Sequence, residues 1–324
     1  MYVRSGSAMP VFRTMVAIVL AVALTEASLE QPPRDGRPLQ QTPAALVAQG
    51  HEHYKAREWQ QAVDRYEAAR EADPARFNAY FFLAHSYDQL YDPQSKDPLN
   101  RRHLENAATY YTTAAKHEID PQMRRRALEY LVAVCGRDKL DDSENAGPAV
   151  LQLIELDPAN MSHRITLAGV YEQVGRNEDA ERALLTARSL EPNNIVVYRA
   201  LAGLYNRTGD FPKTMEALER IAALQPRNAK AHQDVAVFYW EKVFRDRRLT
   251  PSQKRDYVAA GVAATDRALA LDPDYLDPLT YKNILLRMQA NDEPDPIRQQ
   301  QLLSEADALR SRAVELNRRR GTHR

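Results

Sequence analysis

His51-Glu52-His53 brings two imidazoles and a carboxylate together, the donor types of a zinc centre. On a helix, however, side chains at i and i+2 point to different sides, so the two histidines are poorly placed to hold one ion. His85 adds a third imidazole on what the repeat pattern makes the same surface as His51, still short of a ligand set. Asp141-Asp142-Ser143-Glu144 and Asp292-Glu293-Pro294-Asp295 carry the hard oxygens that calcium prefers, but neither has the loop spacing of an EF-hand, and both read as solvated turns. Cys135 is the only cysteine, which excludes an intrachain disulfide and a multi-cysteine metal site, and it reads as a buried small residue. The chain has no glycine-rich phosphate loop, no GxSxG elbow, no HExxH and no cysteine pair. No catalytic residue, metal ligand or cofactor-binding residue is therefore assigned, and neither a cofactor nor a small-molecule substrate is expected. Asn160-Met161-Ser162 and Asn206-Arg207-Thr208 match the glycosylation sequon incidentally.

Composition narrows the class of partner. Lys plus Arg and Asp plus Glu are equal at 44 each, so no overall field draws the chain to nucleic acid or an acidic surface. Residues 317–324, with Arg318, Arg319, Arg320 and Arg324, form a basic tail that reads as solvated. A hydrophobic share of 44% against 27% charged is enough to bury a core, which argues against a disordered chain.

Two segments precede the folded part. Arg4 and Arg13 stand before an apolar run from Met15 to Leu24, followed by Thr25, Ala27 and Ser28. This is the layout of a secretory signal peptide over 1–27 with cleavage near Ala27, and an uncleaved membrane anchor is the alternative. Residues 28–42, carrying Pro32, Pro33 and Pro38 among Gln, Arg and Gly, read as an extended linker.

From there to residue 316 apolar residues recur at helical spacing in segments broken by Asp-Pro, Glu-Pro, Gln-Pro or Gly, with no alternating strand pattern. The class is all-α. The segments also repeat, since Pro158, Pro192 and Pro226 are 34 residues apart. One unit places Leu167, Ala168, Tyr171, Gly175, Ala180, Leu184, Ala187 and Pro192 at fixed offsets. The next places Tyr198, Leu201, Ala202, Tyr205, Gly209, Phe211, Leu218 and Pro226, with Thr214 and Ile221 where small alanines are usual. The first unit gives Gly50, Tyr54, Trp59, Ala62, Tyr66, Ala69 and Pro74. Small residues belong where antiparallel helices cross closely, and proline stops each second helix.

These residues at this period resemble the tetratricopeptide (TPR) repeat, and the chain looks like the uncharacterised exported TPR proteins of bacteria. The resemblance implies a right-handed α-solenoid of about seven helix-turn-helix units, fourteen helices over 43–316. Two units are stretched, by inserts at 92–103 and 245–257, and the first helix beside the second insert is expected to run to Arg248. In 124–158, Cys135-Gly136 and Gly147-Pro148 are expected to disturb both helices.

The resemblance also implies a concave groove lined by first helices. Its inward offsets select Tyr54, Lys55, Asn78, Phe81, His85 and Asp88, then Glu172, Arg199, Asn206 and Arg207, then Lys230, Gln233 and Trp240. Arg199, Arg207 and Lys230 are expected to form a basic patch opposite Trp240. The carboxylate clamp of chaperone-binding relatives is missing, since Val47 and His51, Ile165 and Gly169, or Arg199 and Gly203 occupy its offsets. The expected function is that of a protein-interaction scaffold, exported to the bacterial envelope and binding a protein or peptide in this groove. Self-association as a structural component of an envelope complex is the alternative.

Overall fold

The computed structural model describes residues 42–75, 77–117 and 120–321. The leader expected over 1–27, the linker apart from Thr42, and the last three residues of the basic tail lie outside them.

Fourteen helices follow in order among the described residues, paired in sequence like TPR helix-turn-helix units. The first pair is α1 (Pro43–Ala56) with α2 (Trp59–Ala72), then α3 (Tyr80–Leu90) with α4 (Pro98–His117), and α5 (Pro121–Val134) with α6 (Ser143–Leu156). Next come α7 (Met161–Gln173) with α8 (Asn177–Leu190), and α9 (Ile195–Thr208) with α10 (Phe211–Leu224). The stack ends with α11 (Ala229–Arg245) against α12 (Pro251–Leu271), and α13 (Leu276–Asn291) against α14 (Pro296–Gly321).

Local chemistry sets these boundaries. Asn160, Asn194 and Asn228, themselves 34 residues apart, cap α7, α9 and α11 by accepting hydrogen bonds from the amides of Ser162, Val196 and Lys230 at 3.0, 2.9 and 3.1 Å. Thr42 before Pro43, Asp120 before Pro121 and Thr250 before Pro251 make the proline version of the same start. Asp210 caps α10 through the Lys213 amide. Gly175 and Gly209 turn the chain in the left-handed region at φ 73° and 80°. At the end of α1 this conformation falls on Arg57, with φ 62° and ψ 26°. A side chain there costs about 1 kcal/mol. Arg57→Gly should therefore raise the urea midpoint of unfolding, and an unchanged or lower midpoint would mean that the turn stores no strain.

Alanines form the crossings. Ala62, Ala69, Ala107, Ala127, Ala180, Ala187, Ala236 and Ala306 have no exposed surface. Tyr87, Tyr205 and Tyr239 join one pair to the next, each donating its hydroxyl to a glutamate on the preceding second helix: Glu67, Glu181 and Glu219, at 3.0, 2.8 and 2.7 Å. Thr214, the departure from alanine, is buried with its hydroxyl donated to the Asp210 carbonyl at 2.8 Å.

Three expectations are corrected. Pro148 does not break α6, because it is the sixth residue of the helix and removes one early bond while Ala149, Val150 and Leu153 bury the face behind it. Gly136 lies past the end of α5 and interrupts nothing. Within the two inserts α4 begins at Pro98 and α12 at Pro251, leaving loops 91–97 and 246–250. The first is closed by Asn100, whose side chain bonds both the amide and the carbonyl of Asp92. Finally, α11 ends at Arg245 instead of Arg248, where the Asp246 carboxylate takes Lys242 at 3.0 Å and the Arg248 amide at 3.0 Å. The last helix, α14, runs through 317 to Gly321, with Arg318 and Arg319 paired to Glu315.

Candidate functional site: the face of the first helices

First helices of neighbouring pairs touch at α1–α3, α3–α5, α7–α9 and α11–α13, whereas no two second helices touch among the described residues. A stack whose first helices approach one another while its second helices stay apart bends toward the first helices. These therefore line the inner face.

At the first station, α1, α3 and α5 meet. Tyr54 and His85 are both buried, with the Tyr54 hydroxyl 3.3 Å from His85 Nδ1. Phe81 is buried beside them, 6.2 Å ring to ring from His85. Tyr130, from α5, packs edge-on against both, at 5.3 Å from His85 and 5.8 Å from Phe81. Burial holds His85 below the ordinary imidazole pKa, so it is neutral at pH 7. Asp88, one turn further on, is paired with Lys139 at 2.6 Å. Lys55 pairs with Glu52 on its own helix, and Asn78 is exposed ahead of α3.

His51 and His53 do not converge. His51 Nδ1 lies 2.8 Å from the Tyr66 hydroxyl, whereas His53 faces Glu58 at 2.6 Å. The acidic clusters act as caps: Asp142 accepts from the Asn145 amide, and Asp295 from that of Ile297. Cys135 is buried, which pushes its thiol up to about 12 and leaves it unionised.

The second station is polar. Glu172 of α7 accepts from Arg207 of α9, with Nε at 2.8 Å. Asn206 and Arg199 are exposed, and Asn206 also borders a cleft of about 540 Å³ lined by Phe211, Lys242, Arg245 and Arg248. Lys230 holds Asp234 on its own helix at 2.7 Å. The expected basic patch is thus not formed, because Glu172 and Asp234 neutralise two of its three cations, leaving Arg199 alone without an acidic partner among the described residues.

The third station lies on α11 and α13. Trp240 stacks on Phe244 at 5.2 Å and 15°, and meets Tyr281 of α13 edge-on at 5.2 Å. Phe244 is 65% exposed, a costly placement for a large apolar ring. Gln233, two turns before Trp240, is 2% exposed, and neither atom of its amide has a hydrogen-bond partner among the described residues. The indole Nε1 of Trp240 is also unpartnered.

The stations bring Tyr54, Phe81 and His85 together and keep Trp240 apart from Arg199 and Arg207, on different helices of the stack. Sequence reasoning passed over Tyr130, Phe244 and Tyr281. The signal for Phe244 was its spacing of four from Trp240, which puts both rings on one stripe of a helix. Tyr130 fell in the pair whose helices were expected to be disturbed.

No family profile matches the chain, and no curated protein does. Solved structures do. The chain is similar to a tetratricopeptide repeat protein from Parabacteroides merdae, at 14% identity over 82% of this chain and 99% of that one, with a TM-score of 0.44. It is similar to YrrB, described as a TPR protein with an unusual peptide-binding site, at 16% identity over 60% of this chain and 91% of that one, TM-score 0.44. It is also similar to MamA, at 16% identity over 56% and 93%, TM-score 0.40. No residue role is carried over from any of these to this chain.

Proposed function

We propose that this chain is a protein-interaction scaffold that holds an extended segment of a partner protein along the face of its first helices, with no catalysis of its own. The observation that carries this reading is the third station. Phe244 stands in solvent, stacked on Trp240, and the Gln233 amide on the same helix lacks both a donor and an acceptor. A buried amide without partners costs about 1–3 kcal/mol for each group left unmade, and a peptide group offers one C=O and one N–H to match it. Aromatic side chains beside such groups are the usual anchors of an interface.

Export to the envelope belongs to the same proposal. It is supported by the charged, apolar and small-residue order of 1–27. No helix among the described residues is long and apolar enough to cross a membrane.

The test is selection from a displayed library of random twelve-residue peptides on the full chain, repeated on Trp240→Ala/Phe244→Ala. Enrichment of related sequences by the wild type alone supports the reading. Equal enrichment by both, or none by either, contradicts it.

A further inference from the structure

Arg126 and Tyr130 stand one turn apart on α5, on the side that meets α3. Arg126 is partly exposed, and its guanidinium has neither an ion pair nor a hydrogen bond among the described residues. Burial pushes the Tyr54 hydroxyl above the ordinary phenol pKa, and the Arg126 charge acts against that shift. Tyr54, His85 and Tyr130 thus form one cluster drawn from α1, α3 and α5, with Arg126 one turn from Tyr130 on α5.

Beneath it lies a second anomaly. Tyr111, from α4, stacks on Tyr130 at 5.5 Å and 21°, has no exposed surface, and its hydroxyl has no hydrogen-bond partner. It also packs edge-on against Phe81 at 5.8 Å, which places it under the same cluster. A buried hydroxyl left unpaired is uncommon in a folded protein.

The charges of the cluster are nearly all spoken for. Asp88 is cancelled by Lys139, and His85 is neutral. One guanidinium is left over, one turn from Tyr130, whose ring packs edge-on against His85 and Phe81. A single uncompensated positive charge matches the single negative charge of a carboxylate and falls short of a phosphate dianion. Because α1, α3 and α5 touch in an unbroken file, a segment laid across them passes over the cluster.

We propose that Arg126, with Tyr130 beside it, binds the carboxylate of an aspartate or glutamate side chain within the partner segment. This rests on the reading of the first-helix face as a peptide-binding surface and adds a charge requirement at its other end.

Four pools of acetylated dodecapeptides test it on the full chain. They are random except for one central position: Glu, Gln or phosphoserine with an amidated end, and Gln with a free end. The wild type should retain the Glu pool about tenfold over the amidated Gln pool, the size of one charge-assisted hydrogen-bonded pair. Arg126→Gln should bring that ratio to one with its far-UV circular dichroism unchanged, and Tyr130→Phe should lower it severalfold. Trp240→Ala/Phe244→Ala should leave the ratio as it is, although total retention falls. A ratio of one in the wild type, or a ratio untouched by Arg126→Gln, overturns the inference while leaving the scaffold reading in place. Preference for the phosphoserine pool, or for the free-ended pool, over the Glu pool also overturns it. Retention of no pool overturns both.

Discussion

Lowering the pH from 7 to 4 should weaken the first helical pair by about 2–3 kcal/mol through His51 alone. Burial beneath Tyr66 and Phe82 lowers the pKa of this imidazole to about 4, with the Lys55 charge adding to the effect and Glu52 opposing it. In the unfolded chain the same ring titrates near 6.5. Between those values the unfolded chain binds the extra proton, so stability is complete above pH 6.5 and falls as the pH drops toward 4. His85, lowered by burial as well, acts in the same direction. The measurement is urea unfolding followed by Trp59 fluorescence at the start of α2, in a Trp240→Phe background that silences the other tryptophan. His51→Gln keeps a hydrogen-bonding group for the Tyr66 hydroxyl and should flatten the pH dependence. An equal slope in both proteins would remove His51 from the account. Since a stack of repeats loses stability locally, a fluorophore on α13 should respond less than Trp59.

The larger effect is on binding. Replacing Trp240 and Phe244 together with alanine should weaken a selected peptide by a factor of about 30 or more, the loss expected when a central aromatic anchor is truncated. Phe244 is already in solvent, so its removal costs the free protein little. Trp240 is partly buried against Tyr281, and its loss should lower stability as well. Phe244→Ala alone separates the two contributions: weaker binding without a change in the urea midpoint assigns the ring to the partner. Fluorescence anisotropy of a labelled peptide reads the affinity. A fall of less than threefold in the double variant would contradict the assignment of this station.

What the sequence made legible follows from what a repeat must conserve physically. Alanine at most crossings, glycine at two of the left-handed turns and proline after most second helices meet backbone requirements, so the pairing of helices could be read directly from the period. The third pair was misjudged because a proline inside a helix was weighed by its local cost, whereas its place near the start of α6 forfeits a single bond and the buried face of Ala149, Val150 and Leu153 outweighs it. The groove was legible only as a set of offsets. An offset states which side of a helix a residue takes, but not how closely the next first helix approaches. Tyr54, Phe81, His85 and Gln233 are accordingly buried where helices close on one another, while Arg199, Asn206 and Phe244 remain open. Lys230 could have been matched to Asp234, four residues on, from spacing alone. The pairing of Arg207 with Glu172, 35 residues back, required the stacking itself.

The most direct test of the central claim is photocrosslinking from two positions of the full chain. One photoreactive residue replaces Phe244 on the first-helix face, and the other replaces Leu151, an exposed apolar residue of the second helix α6. With envelope proteins of the source organism present, position 244 should give a discrete adduct with another protein that an excess of the selected peptide displaces, and position 151 should give none. Adducts of the chain with itself, or equal labelling from both positions, would contradict the claim that the first helices hold the partner.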